Sequence, residues 1–122
     1  DEAVDAAIAQ VAQAKILVLG TPVYRASYTG QLKAFLDLFP QDALRGSVAG
    51  LIATGAGAAH ALVIDHSLRP LVASLRGLTA AESIYVADPQ FPDKTSVPEP
   101  IEQETEALAR ELYALGSGLA AT

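Results

Sequence analysis

Polar and aromatic residues follow directly on the short aliphatic run Ile16–Leu19. Such a run, bounded by turn residues, is typical of a strand buried on both faces, and open α/β sheets bind ligands just beyond the carboxyl ends of such strands. The loop contributes a hydroxyl, a stiff backbone and two aromatic rings with polar tips, from Thr21, Pro22, Tyr24 and Tyr28. These groups suit a flat molecule with polar edges. We therefore expect the loop to face a ligand; an ordinary strand-to-helix connection is the alternative.

A glycine-rich turn closes the next aliphatic run and consists of Thr54, Gly55, Ala56 and Gly57. Glycine lets a backbone approach a ligand closely and adopt positive φ, so that N–H groups can point at carbonyl oxygens and a ring nitrogen. An ordinary tight turn has the same composition. Because this turn ends the neighbouring strand, we expect it to lie beside the loop at 21–24.

A long helix is predicted from about residue 59 to residue 76, with His60 at its start. Pro70 cannot donate to the carbonyl of His66, and its ring clashes there, so the helix must kink or bulge around His66. A separation of six residues turns the two histidines about 120° apart on a regular helix. With no further ligand-rich cluster nearby, we expect no metal site.

Charged residues near these segments have two interpretations each. Arg25, next to Tyr24, is placed to attract the phosphates of a nucleotide, although a loop arginine is commonly only solvated. Asp65 and Arg69 have the spacing of a helix-surface ion pair. The chain contains no Gly-x-Ser-x-Gly motif, so a hydrolase is not supported.

The elements that position these groups alternate between helix and strand. Strands are predicted at about 16–19, 48–54 and 84–87, and helices at about 4–11, 30–39, 59–76 and up to Gly116, with Gly77 as the cap of the third helix. This αβαβαβα order predicts an α/β fold with parallel strands and right-handed crossovers.

Composition limits the alternatives for the whole chain. With 122 residues and 51% hydrophobic residues, it forms one globular domain. A net charge of −6 disfavours nucleic acid, and no apolar run approaches the roughly 20 residues of a membrane span. The absence of cysteine excludes disulfides and thiolate catalysis. We expect a cytoplasmic protein that binds neither nucleic acid nor membrane.

The segment Thr21-Pro22-Val23-Tyr24, followed by Tyr28-Thr29-Gly30-x-Leu32-Lys33 at the opening of a helix, resembles the NAD(P)H-dependent FMN reductases of the flavodoxin-like superfamily. The closest resemblance is to the sulfonate-associated, two-component branch. It implies a three-layer αβα sandwich around a five-stranded sheet ordered 2-1-3-4-5. Only strands 3, 4 and 5 are found here, and the chain contains no methionine. We therefore expect residues 1–122 to be the carboxyl-terminal part of one such domain, without strand 1, helix 1 and strand 2.

The resemblance also implies an activity, namely hydride transfer from NAD(P)H to FMN, with the reduced flavin passed to a partner monooxygenase. No catalytic acid or base is required. The implied flavin-binding residues are Thr21, Pro22, Val23, Tyr24, Thr54, Gly55, Ala56, Gly57 and His60. For His60, packing without contact with the flavin is the alternative. Arg25 would meet a phosphate of NAD(P)H.

In this branch the helix corresponding to residues 59–76 carries a π-type bulge at a tetramer interface near the active site, and the resemblance implies a homo-oligomer, either a dimer or a tetramer. The resemblance assigns that position to Asp65, His66 and Pro70; a plain proline kink with a solvated His66 is the alternative. The family holds the flavin phosphate in a Gly-Ser loop after strand 1, which nothing in residues 1–122 matches. The isolated chain is therefore expected to bind FMN poorly.

Two other functions remain open on the same fold. A quinone, azo-dye or metal-ion reductase would share the Pro-x-Tyr loop and differ in its electron acceptor. A flavodoxin-like electron carrier, or an assembly module without a cofactor, would not be an enzyme.

Overall fold

The computed structural model describes residues 1–120. Three strands alternate with helices: α1 (Glu2–Gln13), β1 (Ile16–Pro22), α2 (Gly30–Leu36), β2 (Val48–Gly55), α3 (Arg69–Ser74), β3 (Leu78–Ala87) and α4 (Glu99–Ala120). Short 3₁₀ turns occupy Ala58–His60 and Asp88–Gln90, and a π-helix occupies Ile64–Leu68. None of these helices combines the length and apolar character needed to cross a bilayer.

The strands form one parallel sheet in the order β1-β2-β3. The central strand β2 is almost wholly buried, as its uninterrupted aliphatic sequence predicts. One face of the sheet packs against α1, α2, the π-helix and α3, and the other packs against α4. The predicted α/β class with parallel strands is confirmed.

The two outer strands extend beyond their predicted limits. β1 continues to Pro22 because a proline at this position removes no hydrogen bond between β1 and β2. Successive backbone nitrogens of a strand point to opposite edges, and the N–H of Val23 points to β2, so the nitrogen of Pro22 points to the outer edge. β3 begins at Leu78, and an irregularity pairs Ala49 with Thr79 but Leu51 with Ser83. The polar and small residues of this first half do not have the pattern of a buried strand, so the sequence did not predict it.

The third helix is shorter and less regular than predicted. Residues 58–74 pass through a 3₁₀ turn, a π-helix and only then α3. The helix ends with Arg76 in the left-handed region, at φ 67°, rather than with Gly77. Gly77 is needed for packing instead, since a Cβ there would lie 2.9 Å from Val72 Cγ1.

The last helix continues past Gly116, where the sequence predicted its end. A Cβ at Gly116 would lie 2.5 Å from Ile16 Cγ1, and one at Gly50 would lie 2.8 Å from Leu112 Cδ1. Both glycines therefore let α4 approach the sheet closely. Gly116 is a packing residue rather than a helix terminator.

Candidate functional site

The two loops singled out by the sequence lie side by side at the carboxyl edge of the sheet. Pro22 is paired with Thr54 in the register of β1 and β2, and the N–H of Val23 donates a 2.7 Å hydrogen bond to the Thr54 carbonyl. The predicted adjacency of these loops is confirmed. The space above these two loops lies at the edge where α/β sheets bind ligands, and it is called the crevice below.

The first loop folds back on itself in a tight hairpin. The backbones of Tyr24 and Ser27 exchange two hydrogen bonds of 2.9 and 3.2 Å. The two residues at the tip, Arg25 and Ala26, have φ of 51° and 66°. Positive φ at both positions is characteristic of a type I′ turn and costs roughly 1–2 kcal/mol for each non-glycine residue. The hairpin leaves the Tyr24 side chain 64% exposed.

Thr21 is positioned differently from the rest of its loop. Its side chain is buried; the hydroxyl donates to the Pro22 carbonyl at 2.8 Å and accepts from the Thr29 N–H at 3.2 Å. Thr29 in turn caps α2 by accepting from the Leu32 N–H. The Thr21 hydroxyl therefore anchors the loop to α2, and a contact between Thr21 and a ligand stays a prediction.

The glycine turn does not use the backbone freedom that the sequence suggested. Gly57 is extended, with φ −151°, and among the glycines of residues 1–120 only Gly46 has positive φ. Gly55 instead provides space, because a methyl group there would overlap the hydroxyl of Tyr85. That hydroxyl donates a 2.5 Å hydrogen bond to the Gly57 carbonyl.

Tyr85 was not found by sequence reasoning. It lies on β3, opposite Ala53 of β2, and packs against the buried cluster beneath the turn. A tyrosine in a strand is usually explained by packing alone. The sequence did offer one indication of its role: Tyr85 lies near the carboxyl end of β3, the strand next to the one that ends in the glycine turn.

An open cleft of about 150 Å³ lies between the hairpin and the helical segment after the glycine turn. Its lining includes Ala26 of the hairpin tip together with His60, His66 and Ser67. Both histidines line this cleft, and the 120° separation expected for a regular helix does not apply, because the segment between them is a 3₁₀ turn followed by a π-helix. Within residues 1–120, however, no group of three His, Cys, Asp or Glu side chains could hold a metal.

The predicted irregularity around His66 is a π-helix. The Arg69 N–H donates to the carbonyl of Ile64, five residues earlier, and Pro70 follows without an N–H of its own. This excludes the plain proline kink. π-Helical turns are rare and are frequent at functional sites.

The predicted pair of Asp65 and Arg69 is confirmed, with 2.7 Å between the Oδ1 and Nε atoms. Arg69 does more than pair on the surface: it also donates to the Thr79 hydroxyl at 3.0 Å and to the Ala80 carbonyl at 2.6 Å. The π-helix is thereby tied to the irregular part of β3.

Two basic side chains, one in the first loop and one on α2, differ in whether they are available to bind an anion. Lys33 donates a 2.6 Å hydrogen bond to Asp37, and this bond raises the pKa of the lysine. Lys33 is therefore committed to a helix-surface ion pair. Arg25, at the exposed hairpin tip, has no ion-pair partner within residues 1–120 and is available to an anion.

Known proteins share both this sequence and this fold. The family model described as NADPH-dependent FMN reductase matches residues 1–93. The NADH-dependent FMN reductase SfnE of Pseudomonas putida is 44% identical over 92 residues, which cover 75% of this chain and 50% of that protein. The FMN reductase (NADPH) of Escherichia coli strain K12 is 40% identical over 84 residues, 69% of this chain and 44% of that protein.

A solved structure agrees with these relatives. The apo form of an NADH:FMN oxidoreductase, EmoB, superposes with a TM-score of 0.82 at 35% identity, covering 93% of this chain and 60% of that one. The fold is accordingly flavodoxin-like. The chain spans about half the length of the curated relatives that it matches. It belongs to the NADPH-dependent FMN reductase family.

Proposed function

We propose that the protein carrying this chain reduces FMN with NADH or NADPH. The observation that carries the proposal is the hydrogen bond between Val23 and Thr54, which places the two loops side by side at the carboxyl edge of the sheet. The relatives named above are described as FMN reductases, and they support the same activity.

The crevice fits a flat heterocycle with polar edges. Tyr24 offers an exposed aromatic face, and no atom lies within 4 Å of the position that a Gly57 Cβ would occupy, so a ring system can approach the backbone. We assign the isoalloxazine contacts to Pro22, Val23, Tyr24, Thr54, Gly55, Ala56, Gly57 and His60. Thr21 supports them from behind by anchoring the first loop.

The chain's part in catalysis is orientation. FMN, when bound, supplies the two-electron chemistry by accepting a hydride from the nicotinamide. The hairpin and the glycine turn would hold the flavin ring, and positioning of this kind can provide much of a rate enhancement. No side chain of the crevice is needed as an acid or base. Arg25, which is exposed at the hairpin tip and has no ion-pair partner in the described part of the chain, would attract a phosphate of NAD(P)H.

We further propose that the π-helix lies at the interface of a homodimer or homotetramer. Asp65, His66 and Pro70 all face outward, and Leu62 just before the π-helix is a large exposed apolar side chain. The proposed recipient of the reduced flavin is a flavin-dependent monooxygenase, as the resemblance to the two-component branch implies.

The test is steady-state oxidation of NADH and of NADPH by the protein at its natural length, with and without added FMN. Oxidation accelerated by free FMN is the expected result. Acceleration by a quinone or an azo dye, but not by free FMN, would favour a reductase for those acceptors. No acceleration by any of them would leave an electron carrier or an assembly module.

A further inference from the structure

The Tyr85 side chain reaches from β3 to the glycine turn at the end of β2. Its hydroxyl donates a 2.5 Å hydrogen bond to the carbonyl oxygen of Gly57. The ring packs against the buried cluster that also holds Ile64 and Leu68 of the π-helix. Gly57 is the N-cap of the 3₁₀ turn Ala58–His60, and the hydrogen bond from the rigid, packed Tyr85 ring adds to this turn in fixing where the Gly57 carbonyl points.

The direction of that carbonyl determines the direction of the next N–H. The 57–58 peptide bond is planar and trans, so the N–H of Ala58 points opposite to the carbonyl of Gly57. The carbonyl points toward Tyr85, and the Ala58 N–H therefore points to the outer side of the turn. This N–H has no hydrogen-bond partner within residues 1–120, and Ala58 is exposed. A donor is left facing outward, beside the open space at Gly57.

Tyr85 also explains why residue 55 is glycine. A methyl group at Gly55 would overlap the Tyr85 hydroxyl and lie 3.2 Å from the ring carbon Cζ. The φ of Gly55 is not positive, so the backbone conformation does not require glycine there. The space above Gly55 is the path through which Tyr85 reaches Gly57.

We propose that Tyr85 is a positioning residue for flavin reduction: its hydroxyl holds the Gly57–Ala58 peptide so that the Ala58 N–H faces bound FMN. The inference rests on the proposed function, since it requires FMN in the crevice beside this turn. A donor held in advance at the polar edge of the ring gains strength as reduction places negative charge there. Tyr85 therefore favours reduced over oxidised flavin without touching either.

The test is Tyr85→Phe, which keeps the packed ring and removes the hydroxyl. The measurements are the dissociation constants of oxidised and reduced FMN and the midpoint potential of bound FMN, in the protein at its natural length. We expect binding to weaken about threefold for oxidised and about tenfold for reduced FMN. The roughly threefold difference lowers the two-electron potential by about 14 mV. Tyr113→Phe, on the exposed side of α4, is the control and changes neither quantity.

A second variant tests the path through Gly55. Gly55→Ala displaces the Tyr85 hydroxyl and should weaken FMN binding to a similar degree. In the Tyr85→Phe background the same substitution should weaken binding by a smaller factor than in the parent, because the hydrogen bond is already lost and only the approach to the ring and to the flavin remains. Effects that multiply would mean that the two residues act independently, which overturns the inference.

The outcomes separate this inference from the proposed function. Failure of the unsubstituted protein to bind FMN would overturn both. Normal binding by the unsubstituted protein, with an unchanged potential in Tyr85→Phe, would overturn the role of Tyr85 alone. If Tyr85→Phe lowered the melting temperature of the FMN-free protein but left the potential of bound FMN unchanged, Tyr85 would contribute only to packing. That result would also contradict the proposal.

Discussion

The Tyr24 ring is exposed, and the conformation of the hairpin backbone does not depend on contacts of this ring. The hairpin is held by main-chain hydrogen bonds to Ser27, and the side chain is 64% exposed. Tyr24→Ala should therefore leave the free energy of unfolding within about 0.5 kcal/mol of the parent value. If the ring stacks on FMN, loss of an aromatic contact of about 0.5–1.5 kcal/mol raises the dissociation constant for FMN about three- to tenfold. Fluorescence titration of the protein at its natural length measures that constant, and chemical denaturation measures the stability.

The matched control for this prediction is Tyr113→Ala, since Tyr113 is 72% exposed and lies on α4, across the sheet from the hairpin. This variant should bind FMN as the parent does. Equal weakening by both variants would show a general loss of structure, and no weakening by Tyr24→Ala would remove Tyr24 from the flavin site.

Arg69 is the side chain whose loss should cost the most stability among the charged residues discussed here. It is only 26% exposed and donates to Asp65, the Thr79 hydroxyl and the backbone carbonyls of Ala80 and Ala81. Arg69→Ala leaves the buried Ala80 carbonyl without this donor, and we expect a loss of about 1–3 kcal/mol in the free energy of unfolding.

Urea denaturation measures this loss, and Arg45→Ala is its control. Arg45 is exposed and meets Asp42 only at 3.7 Å, so its removal should change stability by less than about 0.5 kcal/mol. If the two alanine variants were equally stable, the contacts of Arg69 with β3 would contribute nothing.

At the scale of elements, α4 contains two glycines for which we expect substitution by alanine to have opposite effects on stability. Gly118 is exposed with open space around it, so Gly118→Ala should stabilise the helix by about 0.5 kcal/mol. Gly116→Ala brings a methyl group to 2.5 Å from Ile16 Cγ1, and a β-branched side chain yields little. We expect Gly116→Ala to be less stable than Gly118→Ala by about 1–2 kcal/mol.

Thermal and urea unfolding of these two variants, compared with the parent, test the contact between α4 and β1. Both changes add the same alanine to the same helix, so the difference between them isolates packing from helix propensity. Equal stability of the two variants would contradict the close approach at Gly116.

Elements were predictable where local sequence decides the structure. The aliphatic runs of β1 and β2 and the effect of Pro70 are local, and both strands and the π-helix are present. The start of β3 was not predictable, because its irregular segment is held by distant side chains. Arg69 supports it from one face, and Glu111 accepts the N–H groups of Ala81 and Glu82 at 2.8 and 2.7 Å from the other.

The same distinction applies to the site. The adjacency of the two loops follows from parallel neighbouring strands and was predicted from order alone. The requirement for glycine at position 55 could not be predicted, because it depends on the position of the Tyr85 hydroxyl, which comes from another strand. Contacts between residues of different strands could be predicted from the sequence only where the order of parallel strands already implied them.

For the whole molecule, the outer edge of β1 decides how the polypeptide of residues 1–122 behaves by itself. Within residues 1–120, β1 pairs only with β2, and its other edge carries exposed aliphatic side chains, with Val18 56% exposed. An open, apolar strand edge is a template for pairing with another chain. We expect this polypeptide to self-associate increasingly with concentration, as measured by sedimentation velocity.

Val18→Lys should reduce that association, because a lysine on an edge strand cannot be buried against a second chain without losing its hydration. Leu38→Lys is the matched control: Leu38 is 60% exposed but lies after α2, away from the strand edge. Both variants add one positive charge, so a general effect of charge on solubility would appear in both. Association lowered only by Val18→Lys would assign it to the edge of β1, whereas equal lowering by both would assign it to surface charge.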